Sequence, residues 1–170
     1  ENLQATLRPY QLEGLDWLLS LRRRKLGGIL ADDMGLGKTV QVIGHLCRVF
    51  DLEPDAPPAL VVAPASVVGN WVSEIAKFAP HLQTRLLHGA DRGDLIEAPI
   101  VGPTVFVTTY GILPRETEWT DATEFSVLVL DESQTVRNPS TVSHKTVAMV
   151  RAQQKICLTG TPIENSLADL

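Results

Sequence analysis

Hydrophobic and polar positions along the chain follow two spacings in turn, one typical of helices and the other of buried strands. Leucines recur at helical spacing over residues 9 to about 23, which predicts an amphipathic helix. An apolar run at residues 26–31 then predicts a buried strand, and residues 40–50 return to helical spacing. Because prolines and acidic residues fill residues 51–58, we expect a loop there.

The same alternation continues to the end of the chain. Further strands are predicted at residues 59–63, 84–88, 104–108, 127–130 and 156–158. Further helices are predicted near residues 68–78 and 141–150, and residues 88–103 and 114–124 are expected to be surface loops. Aliphatic strands that alternate with helices predict a doubly wound α/β fold, with a mainly parallel sheet and helices on both faces.

Polar residues gather where several of the predicted strands end. The polar clusters begin at Asp32, Pro64, Thr108, Asp131 and Thr159. Doubly wound sheets bind their ligands at the carboxyl ends of the strands. The positions of these clusters therefore predict one binding site along that edge of the sheet.

The turn between the first strand and the second helix has the composition of a phosphate-binding loop. It reads Asp32-Asp33-Met34-Gly35-Leu36-Gly37-Lys38-Thr39. Backbone N–H groups of such a turn, together with the dipole of the helix that follows, favour an anion. Lys38 can reach the β- and γ-phosphates of a nucleotide, and the Thr39 hydroxyl can complete the shell of a Mg²⁺ ion. The general pattern has Gly at its first position, where this chain has Asp32, but two glycines still allow a tight turn.

Asp131 and Glu132 close a nearly pure aliphatic strand. Taken alone, the pair is either a charged strand end or part of a catalytic site. An ATPase needs one carboxylate to hold Mg²⁺ and another to orient and deprotonate the attacking water. Since a phosphate loop lies upstream, we favour the catalytic interpretation, with Asp131 as the Mg²⁺ ligand and Glu132 as the base.

Length and charge limit the other possibilities. The 170 residues are sized for one domain, and the net charge of −5 argues against binding nucleic acid by bulk charge, although it leaves room for a narrow track. The basic run Arg22-Arg23-Arg24-Lys25 is either the solvated end of a helix, which we favour, or a nucleic-acid contact.

Cysteine and histidine positions point to neither disulfide nor metal chemistry. Cys47 and Cys157 lie far apart in apolar surroundings, so we expect buried small hydrophobic residues in a reducing compartment. The four histidines have no ligand spacing, and no structural zinc is expected. Because no secretory segment and no initiator Met open the chain, Glu1 is expected to be an internal start.

Six motifs, in order, resemble those of the Swi/Snf-type ATPases of helicase superfamily two. They are Leu7-Arg8-Pro9-Tyr10-Gln11-Leu12-Glu13-Gly14, the loop at residues 32–39, Val62-Ala63-Pro64-Ala65-Ser66 with Asn70-Trp71, Thr108-Thr109-Tyr110, Asp131-Glu132-Ser133-Gln134 with Arg137-Asn138, and Leu158-Thr159-Gly160-Thr161-Pro162-Ile163-Glu164-Asn165. In this family the phosphate loop begins with Asp, as here, whereas Ser133 stands where the family usually has Ala. The resemblance covers essentially the whole chain and implies a RecA-like fold.

The resemblance also implies which residues bind ATP. Gln11 would hydrogen-bond the adenine edge, with Arg8 and Tyr10 shaping the pocket, whereas by pattern alone Gln11 is a surface helix residue. The phosphates would be held by Asp33, Met34, Gly35, Leu36, Gly37, Lys38 and Thr39. Gln134 would sense the γ-phosphate and link the nucleotide state to a facing lobe.

Other matched positions are implied to serve DNA. Those along the DNA track would be Ser66, Asn70, Trp71, Thr108 and Thr109. Trp71 also belongs to an apolar stripe, so core packing is an equal alternative. Thr159, Gly160 and Thr161 would couple hydrolysis to DNA binding, although by spacing alone the two threonines are polar caps before a helix.

The family's activity implies an ATP- and Mg²⁺-dependent motor that moves on double-stranded DNA through its backbone and remodels protein–DNA complexes. Because the chain ends at Leu170, it is expected to be the first of two lobes, nearly inactive without the second lobe of the full-length chain. Its compartment would be the bacterial cytoplasm or the eukaryotic nucleus. Two alternatives are a strand-separating helicase, disfavoured by Gln134 and Asn70-Trp71, and a non-catalytic nucleotide-dependent interaction module.

Overall fold

A computed structural model describes residues 2–31, 37–136 and 141–160, without the side chains of residues 135 and 136. The strands are β1 (Gly28–Ala31), β2 (Ala59–Ala63), β3 (Gln83–Leu87), β4 (Thr104–Thr109), β5 (Leu128–Leu130) and β6 (Lys155–Thr159). The α-helices are α1 (Pro9–Arg23), α2 (Lys38–Leu52), α3 (Val68–Phe78), α4 (Arg92–Glu97), α5 (Thr117–Ala122) and α6 (Val142–Met149). Two short 3-10 helices span Leu113–Arg115 and Ser133–Val136.

The six strands form one sheet in the order β1-β6-β5-β2-β4-β3, and each neighbouring pair is parallel. The predicted doubly wound α/β fold is therefore confirmed. Because all strands run the same way, their carboxyl ends share one edge, and the described polar residues at the ends of β2, β4, β5 and β6 are gathered there.

Two hydrophobic clusters cover the two faces of the sheet. Consecutive residues of β2 belong to different clusters. Val61 is in the cluster that includes Trp71 and Ile75 of α3, and Val62 is in the cluster that includes Val147 of α6. All five residues of β2 are buried, as expected of a central strand covered by helices on both sides.

The expectation that residues 88–103 and 114–124 are surface loops was wrong in part. The first segment contains α4 and the second contains α5. Trp119 of α5 packs edge-on against Phe106 and Phe125, with ring centroids 5.0 and 5.4 Å apart. Both helices are only six residues long, which is too short for helical periodicity to show in the sequence.

The basic run lies at the edge of the sheet opposite the polar clusters. Arg22 ends up as a structural residue, because its guanidinium pairs with the Glu53 carboxylate at 2.8 Å and donates to the Ser126 carbonyl at 3.0 Å. Arg23, Arg24 and Lys25 are exposed around the end of α1, as the helix-end interpretation expects. No helix of the described residues has the length and apolar character that crossing a membrane requires.

Candidate active site

The ends of β1, β6 and β5 lie side by side. Ala31 pairs with Thr159, and Leu130 pairs with Cys157. Neighbouring strands are about 4.8 Å apart, so the end of β5 lies about 10 Å from the end of β1, across β6. The acidic pair that follows β5 is thus one strand away from the strand that leads into the predicted phosphate loop.

Gly37 ends that loop and caps α2 in a left-handed conformation, with φ of +74°. A Cβ atom built there would lie 2.4 Å from Nε2 of Gln11. Lys38 and Thr39 follow in the first turn of α2, which begins two residues earlier than the sequence predicted. The predicted phosphate contacts of Asp33, Met34, Gly35 and Leu36 lie outside the described residues.

We expect Gly37→Ala to weaken nucleotide binding by at least about 10-fold, since a left-handed conformation costs a non-glycine residue about 1–2 kcal/mol and the new methyl also displaces Gln11. Titration with a fluorescent ATP analogue and Mg²⁺ measures this affinity. Gly69→Ala is the matched control, because a Cβ atom at Gly69 meets no atom within 4 Å. Equal affinities of the two variants would contradict the assigned role of Gly37.

Gln11 lies beside Gly37, the last residue of the predicted phosphate loop, and not on an open helix surface. Only 8% of the residue is exposed, and its Oε1 accepts a hydrogen bond from the backbone N–H of Arg8 at 2.8 Å. Its amide nitrogen faces Gly37, 26 positions along the chain. Arg8 and Tyr10 are exposed at the start of α1. The adenine contacts assigned to these three residues stay a prediction.

Gln41 is a residue that the sequence interpretation missed. It is 1% exposed, and neither atom of its amide has a hydrogen-bond partner among the described residues. A Cβ atom on Gly14 of α1 would come within 2.1 Å of its Oε1, so this side chain fills the contact between α1 and α2. A polar residue inside the apolar run at residues 40–47 was the available signal.

Asp131 is held at every polar backbone and side-chain atom. Its N–H donates to the Val62 carbonyl at 2.8 Å, and its carbonyl accepts from the Tyr110 hydroxyl at 2.6 Å. One carboxylate oxygen accepts from the backbone N–H of Glu132 at 2.8 Å. The other oxygen accepts from the indole N–H of Trp71, also at 2.8 Å. The carboxylate predicted to hold Mg²⁺ therefore has a defined orientation.

Glu132 adopts a left-handed backbone conformation, with φ of +47°. Non-glycine residues rarely do so, and such strain concentrates at functional sites. The conformation turns the chain sharply out of β5 into the 3-10 helix Ser133–Val136. The residue is half-buried, at the edge of the sheet where ligands of this fold class bind.

Two residues with predicted coupling roles are in direct contact. The Thr159 hydroxyl at the end of β6 donates to Oε1 of Gln134 at 3.1 Å. Gly160 follows in a bend, and Thr161 lies outside the described residues. The contact ties the segment after the acidic pair to the strand that separates β5 from β1.

Three of the residues predicted to contact DNA are buried, and for Trp71 this fits the core-packing alternative. Trp71 and Thr108 are each 1% exposed and Thr109 is 5% exposed, so their side chains are packed inside the domain. The Thr108 hydroxyl donates to the Leu87 carbonyl at 3.1 Å, a satisfied position within a strand buried on both faces. Ser66 and Asn70, by contrast, are exposed at the start of α3, and their contact with DNA stays a prediction.

Comparison with known proteins gives a consistent result. The model of the family described as SNF2-related domain matches residues 10–170. The chain is 39% identical to the putative ATP-dependent helicase/translocase YwqA of Bacillus subtilis, covering 99% of the chain and 18% of that protein. It is 34% identical to the ISWI chromatin-remodeling complex ATPase ISW1 of Saccharomyces cerevisiae, covering 99% of the chain and 15% of that protein.

A solved structure is also similar. The Sulfolobus solfataricus SWI2/SNF2 ATPase core in complex with double-stranded DNA matches with a TM-score of 0.88 and 40% identity, covering 99% of this chain and 35% of that one. The chain thus spans about a third of that solved core and less than a fifth of these two curated relatives.

Proposed function

The chain belongs to the family of SNF2-related domains, and from this membership we propose that it is the ATP-binding lobe of a DNA-dependent ATPase. The motor would move along double-stranded DNA and remodel protein–DNA complexes. The observation that carries the proposal is the position of Asp131-Glu132. The pair follows β5, one strand away from β1, whose phosphate loop leads into Lys38 and Thr39 at the start of α2.

The donor atoms at this edge fit Mg²⁺. The ion prefers oxygen ligands and is usually held by one or two carboxylates together with substrate phosphates and water. Asp131 offers an oriented carboxylate and Thr39 a hydroxyl in the first turn of α2. When bound, Mg²⁺ would neutralise charge that develops on the phosphate oxygens.

The other side chains of the site have separate proposed roles. Lys38 would bind the β- and γ-phosphates as a fixed positive charge. Glu132 would orient the attacking water and accept its proton at the carboxylate. Gln134 would respond to the γ-phosphate and pass the change to Thr159 through their hydrogen bond. Gln11 would hydrogen-bond the adenine edge from its position beside Gly37.

Two observations support DNA as the partner. The similar Sulfolobus core was solved in complex with double-stranded DNA. In this chain Ser66 and Asn70 are exposed at the start of α3, where hydroxyl and amide groups can donate to phosphate oxygens. Because phosphates carry no sequence information, we expect little sequence preference.

We further propose that a second lobe completes the site. Arginines supplied across such an interface raise phosphoryl-transfer rates by about 10³–10⁵. The chain by itself is therefore expected to bind nucleotide weakly and to hydrolyse ATP negligibly. DNA-stimulated turnover by the isolated chain, abolished by Lys38→Ala, would contradict this part of the proposal.

The experiment that tests the function uses the full-length protein. ATP hydrolysis is measured with and without double-stranded DNA, beside displacement of a third strand from a triplex and separation of a duplex. We expect DNA-stimulated hydrolysis and triplex displacement, both lost in Lys38→Ala. Duplex separation without triplex displacement would favour a strand-separating helicase. ATP binding without hydrolysis would favour a non-catalytic interaction module.

A further inference from the structure

Trp71 connects an exposed helix start to the carboxylate at the centre of the site. It follows Asn70, which is exposed, yet its own ring is 1% exposed. The indole Nε1 donates to Oδ2 of Asp131 at 2.8 Å, across 60 positions of sequence. A buried indole N–H usually finds a hydrogen-bond partner, and here the partner is the carboxylate predicted to hold Mg²⁺.

The backbone of Asp131 is fixed independently of Trp71. Val62 accepts its N–H at 2.8 Å and Tyr110 donates to its carbonyl at 2.6 Å. Tyr110 is itself anchored, since its carbonyl accepts the Ser143 hydroxyl of α6 at 3.1 Å. A small displacement of the indole therefore acts on the rotation of the carboxylate and not on the position of the main chain.

α3 can carry such a displacement as a unit. The helix has 11 residues, with Val68, Trp71 and Ile75 buried on one stripe and its start open to solvent. Packed helices shift as rigid elements because their side chains interdigitate. A ligand that pulls on the exposed start of α3 thus also moves the indole N–H.

We propose that Trp71 is a positioning residue that couples a DNA backbone bound at the start of α3 to the orientation of the Asp131 carboxylate. The proposal rests on the function proposed above. DNA bound near Ser66 and Asn70 would fix the position of the indole, and the indole would fix the orientation of the carboxylate that faces Mg²⁺. Residues that orient a metal ligand typically contribute 10- to 100-fold to metal affinity or activity.

Coupling of this kind is reciprocal, which allows a test on the unmodified protein. If DNA improves the orientation of Asp131, it also lowers the Mg²⁺ concentration that half-saturates nucleotide binding. In the full-length protein we expect DNA to lower this Mg²⁺ concentration about 10-fold. This is the lower end of the range that residues orienting a metal ligand contribute. The probe is a fluorescent, non-hydrolysable ATP analogue titrated with Mg²⁺, with and without a double-stranded oligonucleotide. An unchanged midpoint would overturn the proposal.

Trp71→Phe then removes the N–H and keeps an aromatic ring. We expect the Mg²⁺ midpoint without DNA to rise about 10-fold, and DNA to lose its effect on it. DNA affinity should stay within about two-fold, because the ring does not reach the surface. Trp119→Phe is the matched control: it is the same exchange in the other hydrophobic cluster, where the ring packs on Phe106 and Phe125.

The outcomes separate the two proposals. If Lys38→Ala leaves DNA-stimulated hydrolysis intact, the proposed function fails. If Lys38→Ala abolishes hydrolysis but Trp71→Phe behaves like Trp119→Phe in both Mg²⁺ titrations, only the coupling role fails. Should Trp71→Phe not fold, the titration of the unmodified protein can still overturn the proposal, because it requires no substitution.

Discussion

Glu132→Gln is expected to lower the DNA-stimulated ATPase rate of the full-length protein by at least about 10²-fold, the lower end of what a positioned general base contributes. The amide keeps the size of the side chain but cannot accept the proton of the attacking water. ATP binding should persist, since Lys38, Thr39 and the Asp131 carboxylate are unchanged. The variant is thus expected to hold ATP without hydrolysing it, which single-turnover kinetics beside nucleotide titration would measure.

Two comparisons sharpen this test. Glu124→Gln removes the same charge from an exposed position before β5 and should leave the rate unchanged. Lys38→Ala should lose nucleotide affinity as well as rate, because it removes a proposed phosphate contact and not a proposed proton acceptor. If Glu132→Gln hydrolyses ATP at the rate of Glu124→Gln, then Glu132 is not the base.

The backbone of Glu132 adds a stability argument. Its φ of +47° is a conformation that Asn tolerates better than Glu. Glu132→Asn should therefore keep or slightly raise the thermal stability of the chain while it removes the carboxylate proposed as the base. Such a result is the usual sign of strain retained for function.

Much of the fold was predictable because its signals are local. α3 spans the residues that its apolar stripe predicted, and β2 matches its five-residue aliphatic run. α1 begins at Pro9, a residue suited to the first turn of a helix. α5 could not be predicted in this way, since its place depends on Trp119 meeting Phe125 from another part of the chain.

The candidate site was predictable in its composition but not in its contacts. The acidic pair and Lys38 follow from their positions after β5 and at the start of α2. Periodicity indicated that Trp71 belongs to an apolar stripe, but it could not show which atom the indole N–H meets. The burial of Thr108 was hidden for a similar reason, because a hydroxyl in a strand buried on both faces is indistinguishable in sequence from one that faces a ligand.

A second large effect is expected from a buried polar group of α2 that belongs to no predicted site. His45 of α2 is fully buried, and its Nε2 is 2.8 Å from Oε1 of Gln154, whose amide nitrogen donates to the Leu18 carbonyl at 3.1 Å. Burial lowers the pKa of His45 from 6.5 to about 4; the hydrogen bond with Gln154 opposes this effect and the charge of Arg22 adds to it. Between pH 6.5 and about 4, His45 is thus neutral in the folded chain and protonated in the unfolded chain.

Stability should therefore be independent of this group above about pH 7 and should fall as the pH drops from 6.5 towards 4. A difference of about 2.5 pH units corresponds to a loss of about 3 kcal/mol. Glu53, whose pKa is lowered by its hydrogen bonds to Arg22, loses its contribution only as the pH falls below its unfolded value of 4.5. A loss of stability between pH 6.5 and 4.5 is therefore expected from His45 and not from the pairing of Glu53 with Arg22.

His45→Gln should flatten the pH dependence in this interval, because a neutral amide binds no proton in either state. His81→Gln, a change at an exposed position, should retain the full slope. Urea unfolding of the chain at a series of pH values measures the free energy directly, and the expected loss corresponds to about 10 °C in the thermal midpoint. If His45→Gln and His81→Gln give parallel profiles, another group is responsible, and the polar cluster at His45 does not control the acid stability of the domain.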